Sequence, residues 1–462
     1  MTIFKSFSHI GLCSAIAVAA AMSVTTSANA AIHNICDYGA VSDTTRLSTV
    51  AVQRAIDDCN AGGGGTVYVP SGNYKIGSIF LKSNVTLNLE NGATLYGSTD
   101  IKDYTPVKTD YVSLRTHTPT IQLIYADGAE NVAITGEGTI DGRGRAFPKL
   151  SWNDEGITRP HLLRFICCRG VKVNGVTLKN SGCWMQHYLA CDKVKIDGIT
   201  VVNRNNYNND ALDLDGCHDV TVSNMIADSD DDAITLKSTS PRLCEDVVIS
   251  NCVVSSHCNA IKLGTETNGG FRNIVIRGIV VKPSADQSSQ FFGYPGGIGH
   301  GAIVLEIVDG GKMSNVDISD INIRGTESPI FIRLADRARA YSPDVPVEGV
   351  GSISRVCLHD IMIDEAGSTG SSITGLEGHP VCDVSLRNIR IRQQGGQKVV
   401  AAPTDEKRAD YPESTMWGVL PATGFWLNHT RNITFENVTV ETIAPDLRET
   451  FVANDSEGLV IK

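Results

Sequence analysis

The chain has 462 residues, 44 glycines, 6% aromatic residues and a formal net charge of −11. So much glycine with so little aromatic content argues against a helical bundle, while the length suffices for one large core or a repeat architecture. The acidic balance argues against a nucleic-acid backbone as the main partner, and an anionic ligand would need a local basic patch.

Residues 1–30 read as a processing signal. Lys5 supplies the positive charge, an apolar stretch runs from Ile10 to Met22, and Ala28, Asn29 and Ala30 give the small-x-small pattern before a cut after Ala30. The apolar run is too short and too interrupted by serine to span a membrane. The expected product is an exported protein, secreted or periplasmic, with a single domain over 31–462, no membrane segment and no nucleic-acid partner. Export permits disulfides, and Cys36 and Cys59, which flank the opening segment, are the expected bridge. The other cysteines read as small buried hydrophobes, with no zinc-type spacing among them. The stretch "STVAVQRAIDDC" (48–59) predicts a helix that covers the open N-terminal end of the strands downstream.

Those strands form a repeat. "CRGVKVNGVTL" (168), "CDKVKIDGITV" (191), "CHDVTVSNMIA" (217), "CEDVVISNCVV" (244) and "FRNIVIRGIVV" (271) share a polar triplet, a V/I-x-V/I alternation and a turn-like Asn, Gly or Asp. The spacings are 23, 26, 27 and 27, and they lengthen downstream, where loops are inserted. Short β-branched alternations between such turns are strands. A period in the twenties predicts an all-β solenoid, a right-handed single-stranded parallel β-helix. A leucine-rich repeat is the alternative at this period, but no LxxLxL register is present.

Carboxylates crowd the stretch from "NNDALDLDGC" (208–217) to "DSDDDAITLKS" (228–238). Placed in register, Asp210-Ala211-Leu212-Asp213, Asp232-Ala233-Ile234-Thr235 and Asn259-Ala260-Ile261-Lys262 stack on successive rungs ~4.8 Å apart, with a further rung at Gly301-Ala302-Ile303-Val304. Asp215 and Lys237 then form a stacked ion pair, and Asp228 and Asp230 are solvated turn residues. Asp210, Asp231 and Asp232 share one face without a cation in register. Such crowding raises at least one pKa, which suits acid–base hydrolysis. A calcium-dependent lyase, with Lys237 or Lys262 as base, and a binding module without turnover stay open as alternatives.

The chain resembles glycoside hydrolase family 28, the polygalacturonase and rhamnogalacturonase group, along nearly all of the mature sequence. "NNDALDLD" is similar to the family's Asn-Thr-Asp-Gly segment, "SDDDAI" to its Asp-Asp segment, and "SGCWMQH" (181–187) to a common sub-motif. The resemblance implies a pectin-lyase-like β-helix that inverts the anomeric centre and needs no metal or other cofactor. It implies Asp231 as general acid, with Asp210 and Asp232 holding the water, and an acidic plant-type polysaccharide as substrate. The chain departs from the family where Gly-His-Gly and Arg-Ile-Lys are expected. Cys258 stands at the His position, with His257 off register and exposed, and Val304, Leu305 and Glu306 replace the second element. His300, one rung further on, is the candidate replacement for the His. These departures keep a rhamnogalacturonan hydrolase and an exo-galacturonosidase as alternatives to ordinary polygalacturonase action.

Lys237, Lys262, Glu266, His300 and Arg333 are the expected substrate-binding residues. Arg333 is chosen over Arg337 and Arg339 because it sits in a strand-like run, whereas the other two read as a solvated loop. Two insertions bring aromatics, Phe291, Phe292 and Tyr294 in the first and Tyr411, Trp417 and Trp426 in the second, either to stack on sugars or to pack as satellite cores. Trp184 reads as structural packing. A β-helix with covered ends is expected to be a monomer.

Overall fold

The inward residues of the repeats are valine, isoleucine and leucine, and they form one continuous core along a parallel solenoid. The computed structural model describes residues 31–151, 153–286 and 294–462. The leader (1–30), Phe291 and Phe292 lie outside the described residues. Among the described residues the rung-to-rung ladders are parallel, and the repeats stack in register, as in Val171↔Val194, Val194↔Val220, Val220↔Val247 and Val247↔Ile274. With the crossover sense that parallel strands impose, the solenoid is a right-handed parallel β-helix.

The polar triplet and the Asn/Gly/Asp position are the two corners of each rung. Asn131, Asp219, Asp246, Asn273, Asn315 and Asn432 turn the first corner with φ of 52 to 56°. Asn224, Asn251, Gly278, Asp320 and Asn388 turn the second with φ of 54 to 65°. Only Gly, Asn and Asp visit this left-handed region readily, which is why the corners leave so clear a trace in the sequence. Asparagines on neighbouring rungs hydrogen-bond along the corner, with Asn131 Nδ2 to Asn84 Oδ1 at 3.1 Å and Asn315 Nδ2 to Asn273 Oδ1 at 3.1 Å.

The expected end cover is α1 (Thr49–Ala61), which buries Val52, Ala55, Ile56 and Cys59 against the first strands. No helix among the described residues is long and apolar enough to cross a membrane. The predicted Cys36–Cys59 bridge does not form, and all twelve cysteines described are free. Cys36 lies exposed on a 3-10 turn with its thiol 3.5 Å from the Tyr74 hydroxyl, while Cys59 points inward from α1. Cys168, Cys191, Cys217 and Cys244 are buried on successive rungs, as expected of small hydrophobes.

One column of strands carries the acidic face: β1 (Gln186–Leu189), β2 (Asp213–Asp215), β3 (Ile234–Ser238), β4 (Asn259–Thr267), β5 (Gly299–Ile307) and the end of β6 (Lys312–Leu334). Its register agrees with the sequence alignment: His187↔Asp213, Asp213↔Thr235, Thr235↔Lys262 and Lys262↔Val304.

Candidate active site

Asp210 enters the column just ahead of β2. Its carbonyl accepts from the Met185 amide at 2.9 Å and from Asn203 Nδ2 at 3.0 Å, which fixes the backbone. Asn209 beside it donates to the Ser181 and Cys183 carbonyls and accepts from the amides of Asn205 and Asn206, so the preceding loop is held from both ends. Asp231 and Asp232 precede β3, where Ser229 and Ser256 hydroxyls bind the Asp231 carbonyl at 2.6 and 2.7 Å.

All three aspartates line a cleft of about 510 Å³, together with Arg115, Trp184, Lys237, Cys258, Lys262, Glu266, His300, Glu306, Arg337, Arg339 and Tyr411. The three carboxyls differ in proton affinity. Burial and the neighbouring Asp232 push Asp231 up to about 7. Burial, Asp213 and Asp231 hold Asp210 well above the usual carboxylate range. Burial acts on Asp232 as well, but the Lys262 ammonium 2.9 Å from its Oδ2 and the Asn259 amide 2.7 Å from its Oδ1 overcome it and lower the pKa. The two adjacent carboxyls therefore differ, with Asp231 holding its proton to a higher pH than Asp232.

Lys237 does not pair with Asp215, although the two are opposite in register. Asp215 Oδ2 meets His187 Nε2 at 3.1 Å, and the carboxylate accepts from the Thr239 amide and hydroxyl at 2.8 and 2.7 Å. Lys237 turns into the cleft instead, 3.3 Å from Glu266, 3.6 Å from Asp213 and 4.0 Å from Asp210, with its ammonium 4.8 Å from the centre of the Trp184 ring. Trp184 packs edge-on against His161 and His187, as expected, and also forms the floor beneath Lys237 and Arg115. Glu266 binds Arg115 and Lys237 and lies 3.6 Å from Arg339, so these cations hold its pKa well below normal against the pull of burial.

Lys237, Lys262, Glu266 and His300 thus line the cleft, and Arg333 does not. Its guanidinium is buried and binds the carbonyls of Gly375, Glu406 and Lys407, with Trp417 stacked 5.1 Å away, so it clamps the second insertion to the solenoid. The cleft takes Arg337 and Arg339 instead, because the chain beyond β6 folds back over the column. Arg339 is anchored on Asp309 at 2.6 Å, and Arg337 lies over Tyr411 at 4.9 Å. Arg115, on a loop outside the repeat, carries no periodic signal and is invisible to a reading based on spacing.

Two other expectations are corrected, and one open alternative is decided. His257 is buried, with Nδ1 2.7 Å from Asp230 and Nε2 2.7 Å from the Asp286 carbonyl. Asp230 is correspondingly buried, and Asp228 pairs with Arg204 at 2.9 Å, so neither is a solvated turn residue. Trp417 and Trp426 pack on each other at 5.0 Å and form a satellite core with Leu420 and Ala422, while Tyr411 alone of that insertion's aromatics reaches the cleft. His300 is buried beside Cys258, its amide bonded to the Cys258 carbonyl at 2.7 Å, and burial and Lys262 lower its pKa to about 4.

The right-handed β-helix thus gathers Asp210, Asp231 and Asp232 at one strand column, in a cleft that basic side chains also line. The chain belongs to the glycosyl hydrolases family 28, whose model matches residues 59–405. It is 35% identical over 167 residues to an exo-poly-alpha-D-galacturonosidase of Dickeya chrysanthemi, covering 35% of this chain and 27% of that protein. It is 29% identical over 219 residues to a probable polygalacturonase of Vitis vinifera, covering 44% of each. The aligned stretches thus span less than half the length of these two curated relatives. Among solved structures it is similar to an exopolygalacturonase of Thermotoga maritima, with TM-score 0.66 and 22% identity over 89% of this chain and 92% of that one. A family 28 exopolygalacturonase of Yersinia enterocolitica also has TM-score 0.66, at 20% identity over 93% and 78%.

Proposed function

We propose that this protein is an exported hydrolase that cuts α-glycosidic bonds between galacturonate residues of a pectic chain, releasing units from one end. The observation that carries this is the cluster of Asp210, Asp231 and Asp232, with proton affinity raised at Asp231 and lowered at Asp232, in a cleft lined by Arg115, Lys237, Lys262, Arg337 and Arg339. Asp231 gives its proton to the glycosidic oxygen as the C–O bond breaks. A water held by Asp232 and Asp210 attacks the anomeric carbon from the opposite face and loses its proton to Asp232, which inverts the centre. The cations answer the uronate carboxylates, point-like for lysine and forked for arginine.

Exo action draws support from the Dickeya relative and from the loops that wall the cleft with Arg115 and Tyr411. The calcium-dependent lyase reading has less support. Asp231, Asp232 and Cys258 do offer atoms within 4.8 Å of one another, but one is a thiol and the Lys262 ammonium already sits on Asp232. Calcium asks for six to eight oxygen ligands.

Product analysis on polygalacturonate and rhamnogalacturonan in EDTA tests the proposal. The expected result is saturated monogalacturonate from polygalacturonate, with kcat reduced by about 10²–10⁴ in Asp231→Asn. An unsaturated product that disappears with EDTA refutes it, and cleavage of rhamnogalacturonan alone moves the substrate to that backbone.

A further inference from the structure

Glu306 is fully buried on β5, yet it lines the cleft and neither of its carboxyl oxygens has a hydrogen-bond partner. A buried polar group left unpaired costs stability and calls for an explanation. The space for this carboxyl is built in. Gly264 on the preceding rung has φ +134°, and a Cβ there would come 2.7 Å from Glu306 Oε2 and 3.0 Å from its Cβ. Along the same cleft wall, Arg337 shows the complementary vacancy, with its Nη1 buried and without a hydrogen-bond partner while its guanidinium stacks on Tyr411. An unpaired acid and an unpaired guanidinium nitrogen line one cleft and do not bond each other. A ligand that carries both a carboxylate and hydroxyls supplies what both lack.

We propose that Glu306 and Arg337 form a sugar subsite beyond Asp232, in which Arg337 Nη1 takes the uronate carboxylate and Glu306 hydrogen-bonds a ring hydroxyl of the same sugar. Burial pushes Glu306 up to about 8, so near neutrality its carboxyl is neutral and both donates and accepts without repelling a polyanion. Glu306 lies two rungs past Asp232, and its contact is with a bound sugar and not with the breaking bond. Its contribution is therefore the same in ground and transition states and appears in KM. The inference rests on the hydrolase reading above.

The test is steady-state kinetics on trigalacturonate together with thermal melting, for wild type, Glu306→Gln, Glu306→Met and Arg337→Met. Glu306→Met is expected to raise KM about tenfold with kcat within about threefold, as befits one lost hydrogen bond with its partner left unpaired. The same variant should melt at or above the wild-type temperature, because an orphaned buried acid has been removed. Glu306→Gln, which keeps a donor and an acceptor, should stay within about threefold of the wild-type KM. Arg337→Met should raise KM on trigalacturonate and lose that penalty on its carboxyl-reduced analogue. A purely structural role would lower the melting temperature of Glu306→Met and leave KM unmoved, and that result overturns the subsite. Saturated product from wild type with unchanged KM in both methionine variants overturns the subsite alone, whereas the absence of saturated product from wild type overturns the hydrolase reading.

Discussion

Replacing Lys262 by methionine removes the ammonium that binds Asp232 directly. The pair is 2.9 Å apart, and both side chains are no more than 5% exposed. Breaking one half of a buried pair costs about 3–5 kcal/mol, because the remaining charge loses its direct partner and keeps the hydrogen bonds from Asn259 and the more distant Lys237. Loss of that ammonium removes the largest influence that lowers the Asp232 pKa against burial, so the pKa of the remaining carboxyl rises. In the wild type the depressed pKa contributes stability above the unfolded value, and that contribution is lost as pH falls through the folded one. In the variant Asp232 takes up its proton at a higher pH than in the wild type. The acid limb of kcat/KM should therefore move to higher pH, so the variant loses more activity at pH 5 than at pH 8. At pH 8, where Asp232 is forced to ionise, the full cost appears in stability. An unfolding entropy of about 2.1 cal/mol/K per residue over some 430 residues gives about 0.9 kcal/mol/K, hence a drop of about 4 °C. A pH–rate profile and differential scanning calorimetry at pH 5 and 8 measure both effects. An unchanged acid limb together with a melting temperature within about 1 °C of wild type at pH 8 would refute this account of Asp232.

Asp231 must carry a proton to act as acid, so activity should fall as pH rises through about 7, and a pH–rate profile should lose that basic limb in Asp231→Asn. Asp213 and Glu306, both raised to about 8 by burial, bind protons in the folded state that the unfolded chain has released. Their stabilising contribution is present at low pH and lost through about 8, so the melting temperature should be lower at pH 8.5 than at pH 6.5. Arg333→Met should lower the melting temperature and loosen the second insertion to limited proteolysis, while KM for trigalacturonate stays within about twofold, because the guanidinium binds Gly375, Glu406 and Lys407 and not the cleft. Reducing agent should leave the melting curve unchanged, since the described cysteines are free thiols.

The repeat, the rung register and the three aspartates were legible in the sequence because each depends on local rules. Inward β-branched alternation and left-handed Asn, Gly and Asp corners recur at a fixed period, and equivalent positions on consecutive rungs must stack. The column positions of Asp210, Asp232 and Lys262 follow from that register, but the expectation of no cation beside the aspartates is corrected, since the Lys262 side chain reaches back one rung to Asp232. Side-chain direction beyond the register did not follow. Lys237 lies opposite Asp215 in the ladder, but Thr239 and His187 satisfy Asp215 and free Lys237 for the cleft. Arg333 looked functional because it stands on a strand, and Arg337 and Arg339 looked solvated because they stand on a loop. The fold-back of the chain after β6 and the docking of the second insertion exchanged those roles. Arg115, from a loop with no periodicity, and the orphaned carboxyl of Glu306 exist only as facts of packing. One-dimensional stacking determines the scaffold and its charged column, since each rung touches only its neighbours. Contacts between distant loops decide which charges meet a ligand, and no local pattern records them.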